Sequence, residues 1–479
     1  MTAFVDDAVL TPDAVRDVFA SARTSQRGWA ATPVSERTAI VSRFATLLHQ
    51  HRDEALDLIQ EETGKNRASA MEEFTDTVLH AHHIARTAPS LLRERRHAGA
   101  FPVVTKTIER RVPKGVVGII TPWNYPLTLP VSDALPALVA GNAVVLKPDS
   151  QTPKTIAFAL ELMRAAGLPH DVMQLVHGPG AQLGEVIVEQ SDFVMFTGST
   201  RVGRILAEQC ARRLIGFSAE LGGKNPLLVL ADADVSKAAR GAVNASFSNS
   251  GQLCVSMERI YVHTAVWDEF VTEFVDRVKA MSLGAGTDWD ADMGSMINED
   301  QLNTVAEHVA DAVGKGATLL AGGRARPDLG PLVYEPTVLT DVDPSMTVYA
   351  EETFGPVVSL YRVETDAEAV RLANDTEYGL NASVWSKNRG AEIARQVQAG
   401  TVNINEGYAA TWASYGAPMG GMKASGLGRR HGSEGVLKYT EAQAIATQSV
   451  VPIAGPPQLG HHQWANVLTT AIHVLRILR

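Results

Sequence analysis

One of the two cysteines in this chain of 479 residues, Cys254, has neighbours that could make it reactive. It lies in the stretch SNSGQLCVSMERI, after a Gly-Gln-Leu turn and before an amphipathic run that ends with Arg259 and Ile260. Such a cysteine is either a small buried apolar residue or a nucleophile, since a thiolate can form covalent intermediates that split a difficult reaction into two steps. Cys254 is therefore the first candidate for catalysis.

Two polar side chains could assist a nucleophile. Glu220 ends a predicted strand in ELGGKNP, and the two glycines after it turn the backbone tightly and leave the carboxylate at the strand's end. Asn124 lies in TPWNYP between Pro122 and Pro126, whose fixed φ angles make the loop rigid. A rigid amide donor suits oxyanion stabilisation, because a preorganised dipole does not reorganise during the reaction. Each motif is also common turn chemistry, so neither identifies a reaction alone.

Two further turns could bind a phosphate. FTGSTRVGR places Gly198 and Gly203 between a strand and a helix that begins near Val202, where helix N–H groups can meet a phosphate or a dinucleotide. The Gly-x4-Gly spacing differs from the usual GxGxxG pattern, and such a turn needs glycine on steric grounds alone. VVLKPDSQTP adds Lys147 and Ser150 at the carboxyl end of a neighbouring strand, where open α/β sheets bind ligands and where lysine is also a common solvated residue.

The elements that must position these side chains alternate between strands and helices. GVVGIITP, AVVLKP, VMQLVHG and DFVMFTGST are typical of strands, and ALPALVAGN and TPKTIAFALELMRAAG of helices. This alternation predicts βαβ units and a parallel sheet. A region from about Gly223 to Ser425 repeats it with NPLLVL, ERIYVH and VVSLYRV. The earlier segment SERTAIVSRFATLLHQHRDEALDLIQEETG predicts a helix with a serine cap and a closing glycine, and VVTKTIERRVPKG a strand or hairpin arm.

Composition excludes several classes of function. Apolar residues make up 45% of the chain and charged residues 20%, as in an ordinary globular protein. The net charge of -10 and the lack of lysine or arginine runs argue against a nucleic-acid partner. Two cysteines form neither a disulfide framework nor a cluster with metal-ligand spacing, so we expect no metal. With no secretory leader pattern in MTAFVDDAVLTPDAV, we expect a reducing, cytoplasmic location.

The C-terminal tail QWANVLTTAIHVLRILR carries apolar residues near helical spacing. These are Trp464, Val467, Leu468, Ala471, Leu475 and Leu478. The segment is too short, and too often interrupted by polar residues, to span a membrane. We expect it to dock on its own protein or on a sister subunit, and binding to a membrane surface is the alternative.

The motifs together resemble those of the NAD(P)-dependent aldehyde dehydrogenase superfamily. They are TPWNYPL, KPDSQTP, FTGST, ELGGKNP, GQLC, EETFGPV, NDTEYGLNASVW and PMGGMKASGLGR, within a resemblance that extends from about residue 20 to residue 445. Glu220 and Cys254 lie 34 residues apart, as do that family's general base and nucleophile. The resemblance implies an α/β fold with a Rossmann-type cofactor domain, an α/β catalytic domain and a small β oligomerisation arm.

Domain boundaries follow from the same resemblance. The expected ranges are 1–96 and 115–222 for the cofactor-binding domain, 223–428 for the catalytic domain, 97–114 and 429–452 for the oligomerisation arm, and 453–479 for a helical tail. The arm and the C-terminal strand usually join members into dimers or tetramers. We therefore expect a homodimer or a homotetramer.

The resemblance assigns roles to the candidate residues. Cys254 would attack the aldehyde carbon as a thiolate, and the Asn124 amide with the Cys254 backbone N–H would hold the oxyanion. Hydride transfer to the nicotinamide would leave a thioester, and Glu220 would activate the water that hydrolyses it. Members that transfer the acyl group to coenzyme A generally lack this glutamate, so its presence favours the free acid. The expected cofactor contacts are Trp123, Lys147, Ser150, Gly198, Ser199, Val202, Leu221, Glu352 on the nicotinamide ribose and Phe354 beside the ring.

Ser150 bears on the choice between NADP and NAD. Members that prefer NAD often carry a glutamate three residues after the lysine, where its carboxylate repels a 2′-phosphate. The neutral hydroxyl of Ser150 tolerates that phosphate, and Lys147 lies close enough in sequence to pair with it. Asp149 is a nearby negative charge that would repel the 2′-phosphate and so favours NAD. We expect NADP to be preferred over NAD.

The sequence leaves two classes of substrate open. The runs VSDALPALVAGNAVVLKPDSQTP and LIGFSAELGGKNP most resemble the succinate-semialdehyde dehydrogenase branch, whose better-known members hold the substrate carboxylate with two arginines. The corresponding residues here are Ser132 and Ser248, and hydroxyls are poor partners for a buried carboxylate. The alternative is an uncharged aliphatic or aromatic aldehyde, with the tail as a membrane anchor. The other expected pocket residues are Tyr125, Leu129, Leu253, Val255, Trp412, Tyr415 and Met419.

Overall fold

Four β-sheets and the helices that cover them form the computed structural model, which describes residues 9–99, 105–448 and 451–478. The helices are α1 (Pro12–Ala31), α2 (Val34–Gln50), α3 (Arg52–Thr63), α4 (Arg67–Leu92), α5 (Thr128–Val139), α6 (Pro153–Ala165), α7 (Gly180–Gln190), α8 (Thr200–Arg213), α9 (Val235–Phe247), α10 (Trp267–Lys279), α11 (Glu299–Gly314), α12 (Thr347–Ala350), α13 (Asp366–Asn374), α14 (Gly390–Ala394), α15 (Ala409–Trp412), α16 (Gly432–Leu437) and α17 (His461–Leu478). The strands are β1 (Arg95–Ala98), β2 (Thr105–Pro113), β3 (Val116–Ile120), β4 (Ala143–Lys147), β5 (Met173–Leu175), β6 (Phe193–Thr197), β7 (Gly216–Glu220), β8 (Asn225–Val229), β9 (Met257–His263), β10 (Thr318–Ala321), β11 (Thr337–Thr340), β12 (Val357–Val363), β13 (Tyr378–Gly379), β14 (Asn381–Trp385), β15 (Thr401–Ile404), β16 (Met422–Lys423), β17 (Gly426–Leu427) and β18 (Thr440–Gln448).

A six-stranded sheet has the order β17-β7-β6-β3-β4-β5. Strands β3 to β7 run parallel to their neighbours, and β17 pairs antiparallel with β7. The central strands are apolar along their length because both faces are buried: Val117 and Ile119 face one core cluster, and Val116 faces another. The parallel arrangement brings the carboxyl ends of β4 and β7, with Lys147 and Glu220, to the same edge of the sheet.

A seven-stranded sheet has the order β10-β11-β12-β9-β8-β14-β15. Its strands are parallel except at the edge, where β10 pairs antiparallel with β11. Helices α9 and α10 pack against it through Phe247, Phe270 and Phe274. The predicted α/β class with two parallel sheets is confirmed.

A smaller sheet, β1-β2-β18, contains the predicted arm. Strand β18 pairs with β2 from Thr440 opposite Pro113 to Gln448 opposite Thr105, and after Thr440 its residues are exposed. Helix α17 lies in the predicted tail and exposes the apolar residues Val467, Ile472 and Val474. The predictions made for residues 1–8, 100–104, 449, 450 and 479 lie outside the described residues. None of the described helices is long and apolar enough to cross a membrane.

The serine cap predicted for the second helical segment is wrong. Helix α2 begins at Val34, directly after Pro33, with no side-chain cap, so Ser35 already lies inside the helix. The fixed φ of proline preorganises a first helical turn without a capping side chain. The segment also breaks at His51 into α2 and α3, and Gly64 ends α3 with φ 69°, as the predicted closing glycine requires.

Candidate active site

A strained turn precedes Cys254. Asn249 and Ser250 adopt positive φ angles of 51° and 56°, which side-chain-bearing residues rarely do, and Gly251 follows at 69°. The Asn249 amide holds the turn by donating to Gln252 O at 3.0 Å and to Asn124 O at 3.2 Å. The turn therefore fixes the Cys254 loop against the Asn124 loop.

Cys254 is half-buried among apolar side chains. Asn225 Nδ2 donates to Cys254 O at 2.8 Å and so holds the backbone of the cysteine. Burial raises the pKa of the Cys254 thiol to about 12, the Glu352 and Glu220 carboxylates also raise it, and Arg430 opposes this. The thiol of the chain alone is thus protonated at neutral pH, and it needs a base or an added positive charge to react.

Asn124 is held from both sides. Its Nδ2 donates to Gln252 O at 3.0 Å, which leaves the second amide hydrogen for an oxyanion. Its backbone oxygen accepts from the Lys65 ammonium at 2.7 Å, and Lys65 in turn forms a buried ion pair with Glu73 at 2.8 Å. The side chain is 2% exposed, so this amide keeps one orientation.

Glu220 lies at the carboxyl end of β7, opposite Gly426 of β17. Its side chain is buried, and its Oε1 has no hydrogen-bond partner among the described residues. A Cβ atom at Gly420 would stand 2.9 Å from that oxygen, so the glycine leaves space for the carboxylate. Burial raises the pKa of Glu220 to about 7, while Arg430 and Lys438 lower it. The carboxylate is therefore poised as a base near neutral pH.

A buried charge network behind Glu220 was not predicted from the sequence. Arg430 donates to the Asp133 carboxylate through Nε at 3.1 Å and Nη2 at 2.7 Å, and to Thr197 Oγ1 at 2.8 Å. The Lys438 ammonium lies 3.3 Å from Ser218 Oγ, and burial lowers its pKa to about 8. Asp133 and Arg430 are 297 residues apart, so no local pattern relates them.

The predicted dinucleotide contacts lie at the carboxyl ends of the parallel strands. Ser199 caps α8 by accepting from Val202 N at 3.4 Å, and α8 begins at Thr200, two residues before the predicted start. A Cβ atom at Gly203 would lie 2.5 Å from the Leu221 side chain, so this glycine allows close helix–strand packing. Gly198 joins β6 to this helix.

Lys147 fits a phosphate-bearing ligand. Its side chain is buried, and its ammonium donates to Pro148 O at 3.0 Å but forms no salt bridge with the described residues. Burial lowers its pKa, and the Asp149 carboxylate opposes this only in part. Ser150 is exposed, and its hydroxyl donates to Gly178 O at 3.3 Å. An anionic group here would compensate the lysine charge, which fits the phosphates of a dinucleotide.

The residues predicted to surround the nicotinamide also lie together. Trp123 and Phe354 meet edge to face with ring centroids 5.6 Å apart. Glu352 accepts from Gly223 N at 2.9 Å, and burial raises its pKa to about 8. The oxygens of this fixed carboxyl group could accept hydrogen bonds from a ribose.

The structure packs six of the nine predicted substrate residues together beside Cys254. Tyr125, Leu129, Leu253, Val255, Trp412 and Met419 form this cluster with Tyr408 and Leu380, which the sequence did not single out. The other three, Ser132, Ser248 and Tyr415, carry hydroxyls, and Ser248 forms a side-chain hydrogen bond with Tyr408 of the cluster. Their hydroxyls approach Thr128 Oγ1 at 3.3 Å, Asn244 Oδ1 at 3.2 Å and the Asp76 carboxylate at 2.8 Å, respectively.

Sequence reasoning also missed an acidic group on α4. Glu72, Glu73 and Asp76 line a cavity together with Tyr125 and Trp412. The available signal was a row of polar residues at helical spacing, from Ser69 through Glu73 and Asp76 to His80, on a helix that packs into the core.

Sequence comparisons with known proteins point to one family over nearly the whole length of the chain. A model of the aldehyde dehydrogenase family matches residues 4–445. A putative succinate-semialdehyde dehydrogenase (NADP+) of Mycolicibacterium smegmatis is 56% identical over 98% of this chain and 91% of its own. One of Mycobacterium tuberculosis with the same description is 52% identical over 96% and 89%.

The solved structures that resemble this chain belong to the same family. An NAD-dependent aldehyde dehydrogenase from Sinorhizobium meliloti superposes with a TM-score of 0.90 and 34% identity, over 94% of this chain and 90% of that one. Nothing in these comparisons supports the membrane-associated alternative. Both the family match and these identities extend over nearly the whole chain, and the chain belongs to the aldehyde dehydrogenase family.

Proposed function

We propose that this chain oxidises an aldehyde to its carboxylic acid with NADP, through a thioester on Cys254. The observation that carries the proposal is the proximity of three groups from separate segments: Cys254, the Asn124 amide, and the Glu220 carboxyl group, which interacts electrostatically with Cys254 and whose Oε1 has no hydrogen-bond partner among the described residues. A nucleophile, an oxyanion donor and a base near neutral pKa are the groups that this reaction needs.

Formation of the thioester begins with a proton transfer. The Cys254 thiol gives its proton to water as sulfur attacks the carbonyl carbon, and the positive charge of the oxidised cofactor would favour the thiolate. The Asn124 amide and the Cys254 N–H stabilise the oxyanion of the resulting tetrahedral adduct. Trp123 and Phe354 would hold the nicotinamide of the bound cofactor, which would supply the acceptor for the hydride of this carbon.

Hydrolysis completes the reaction. Glu220 takes a proton from water, the hydroxide attacks the thioester carbon, and the C–S bond breaks to release the acid and the thiolate. Without an active base at Glu220 the acyl group would stay on Cys254. The glutamate therefore favours the free acid over transfer to coenzyme A.

NADP is the proposed cofactor. The M. smegmatis and M. tuberculosis relatives are named as NADP+ enzymes. Lys147 and Ser150 support the proposal, since a buried lysine that forms no salt bridge within the described part of the chain, together with a neutral hydroxyl, suits a 2′-phosphate. The other proposed contacts are Trp123, Gly198, Ser199, Val202, Leu221, Glu352 and Phe354.

The names of the relatives bring succinate semialdehyde forward as a substrate. Ser132 and Ser248 argue for the second candidate class, aldehydes without a carboxylate, because neither hydroxyl supplies a positive charge. We also propose a homodimer or homotetramer and the domain boundaries given above. A cytoplasmic location stays a prediction.

Substitution of each cysteine in turn tests the proposal. We expect Cys254→Ala to abolish aldehyde-dependent NADPH formation while NADP binding, followed by calorimetry, is retained. Cys210→Ala is the matched control, because Cys210 is buried in a core cluster far along the chain from the Cys254 loop. An active Cys254→Ala enzyme would rule out the thioester.

A further inference from the structure

The loop of residues 351–356, between α12 and β12, carries two of the proposed cofactor contacts, Glu352 and Phe354. Phe354 has a φ of 50°, in the left-handed region that a residue with a side chain rarely adopts. Such a backbone conformation persists only where the surrounding structure enforces it. The contacts that hold this loop must therefore come from other segments of the chain.

Glu258 of β9 holds the N–H groups of the loop. Its Oε1 accepts from Thr353 N and from Phe354 N, both at 3.1 Å, and its Oε2 accepts from Thr353 N at 3.0 Å. Glu258 is 4% exposed, and the buried Lys224 ammonium donates to the same Oε2. Both oxygens of this carboxyl group thus face donors, and the ion pair with Lys224 compensates the buried charge.

Gln301 of α11 holds the carbonyl oxygens of the same two residues. Its Nε2 donates to Thr353 O at 3.1 Å and to Phe354 O at 3.0 Å. The Thr353 hydroxyl also lies 3.2 Å from His308 Nδ1 on the same helix. The N–H and C=O groups of Thr353 and Phe354 therefore all have partners, which two separate segments supply.

The ion pair beneath the loop lies close in sequence to the proposed catalytic groups. Glu258 follows Cys254 by four residues, and Lys224 follows Glu220 by four residues. Glu258 therefore connects three segments: the strand after the nucleophile, the turn after the base and the 351–356 loop. A shift of its carboxyl group would move the loop relative to the nucleophile.

We infer that Glu258 and Gln301 are positioning residues for hydride transfer, because they hold the 351–356 loop in register with Cys254. Both act through the loop. A misplacement of about 1 Å can slow a reaction step about 10²-fold, so hydride transfer should depend on this register. Hydrolysis of the thioester uses Glu220 and water and should not depend on it. The inference rests on the proposed aldehyde oxidation.

Glu258→Gln and Gln301→Leu test the inference. In Glu258→Gln an amide N–H group faces the Lys224 ammonium or the loop N–H groups, so that donor meets donor. Gln301→Leu removes the donor on the other segment and leaves no buried charge unpaired, so it provides the test if Glu258→Gln does not fold.

The kinetic readout separates hydride transfer from hydrolysis. In each variant the NADPH burst with butanal or succinate semialdehyde should slow about tenfold to a hundredfold. The isotope effect of deuterium at the aldehyde carbon on that burst should rise, because hydride transfer becomes more rate-limiting. An acyl-enzyme formed from 4-nitrophenyl butanoate, in which nitrophenolate leaves and no hydride moves, should be hydrolysed at the wild-type rate.

Hydrogen–deuterium exchange of the free chain gives a readout without the cofactor. Peptides that cover the 351–356 loop should exchange faster in both variants, because the contacts that protect the Thr353 and Phe354 amides are weakened. Peptides of α2 should exchange as in the wild type. Glu351→Gln is the matched control, since Glu351 belongs to the same loop but is exposed, and it should change neither the burst nor the exchange.

Three outcomes would overturn the inference. A burst that keeps its wild-type rate in folded Glu258→Gln or in Gln301→Leu would remove the role of that residue. A burst and a hydrolysis slowed by the same factor, or exchange accelerated along the whole chain, would show a purely structural role. If the wild type forms NADPH from neither aldehyde, the proposed function itself fails. A wild-type burst that both variants retain rejects the positioning role alone.

Discussion

At the scale of single residues, the carboxyl group of Glu220 is placed to control the second half of the reaction. We expect Glu220→Gln to give one burst of NADPH per active site, followed by turnover slowed by about 10²- to 10⁴-fold, the usual contribution of a general base. Stopped-flow absorbance measures both phases. A slowed burst would assign the rate-limiting loss to thiol deprotonation, and an unchanged steady state would contradict the role as a base.

The pH dependence of the same residue has a definite sign. Only the carboxylate form accepts a proton, so the deacylation rate should rise with pH through the Glu220 pKa of about 7 and level off above it. The Glu220→Gln variant should lack this inflection. Single-turnover hydrolysis of a preformed acyl-enzyme, followed across this range, makes the comparison. A wild-type inflection near the ordinary glutamate value would show that burial does not tune this group.

Ser150 tests the cofactor preference. Ser150→Glu places a carboxylate where the 2′-phosphate is proposed to lie, and repulsion at this exposed position should lower kcat/KM for NADP about tenfold while NAD is unaffected or favoured. Asp149→Asn is the matched variant of opposite sign, because it removes a nearby negative charge and should favour NADP. Steady-state assays with both cofactors decide this, and an unchanged NADP:NAD ratio in both variants would place the phosphate elsewhere.

Sequence reasoning singled out candidate residues that stand in local motifs and missed residues that meet across the chain. Cys254, Glu220 and Asn124 each stand in a recognisable turn, and the fold brings the three turns together. Arg430 and Glu72 lie in segments that give no such local signal. They meet partners hundreds of residues away along the chain, such as Asp133 for Arg430 and Tyr408 for Glu72.

At the scale of elements, the strands were predictable because parallel strands buried on both faces are continuous apolar runs. Helix starts were harder to predict, since Pro33 stands where the cap of α2 was expected and α8 begins at Thr200, two residues before its predicted start. The turn over Asn249 to Gly251 was not predicted. Its three successive positive φ angles exist because tertiary contacts enforce them, and local propensity disfavours them.

Gly251 is the position of that turn that tolerates substitution least. A Cβ atom there would lie 2.1 Å from the backbone oxygen of Gly355, at a φ of 69°. We expect Gly251→Ala to lower the free energy of unfolding by about 2–4 kcal/mol and to reduce the NADPH burst, because the Cys254 loop must shift. Urea titration and the burst amplitude measure the two effects.

Gly314→Ala is the control for this substitution. Gly314 ends α11, and a Cβ atom there would meet nothing within 4 Å. Alanine should leave stability unchanged or raise it by up to about 1 kcal/mol, since it favours the helix. Equal stability of the two variants would mean that the turn relaxes freely and does not fix Cys254.

At the scale of the whole molecule, strand β18 and helix α17 each present an open surface among the described residues. Strand β18 forms one edge of its sheet, and helix α17 exposes Val467, Ile472 and Val474. Open strand edges and exposed apolar faces favour association, so both surfaces support the proposed homo-oligomer. Docking of α17 on a sister subunit remains the prediction for the tail, because in the single chain these side chains stay exposed.

Native mass spectrometry tests that assembly. The full chain should appear at two or four times its mass of 51.4 kDa, and Ile472→Asp should shift dissociation to higher protein concentration, because a charge enters an apolar contact. Leu214→Asp is the matched control: Leu214 is 94% exposed but lies at the end of α8, away from both surfaces in sequence. A full chain that stays monomeric at micromolar concentration would refute the oligomer. An oligomer that Ile472→Asp leaves intact would assign the interface to the β18 sheet without the tail.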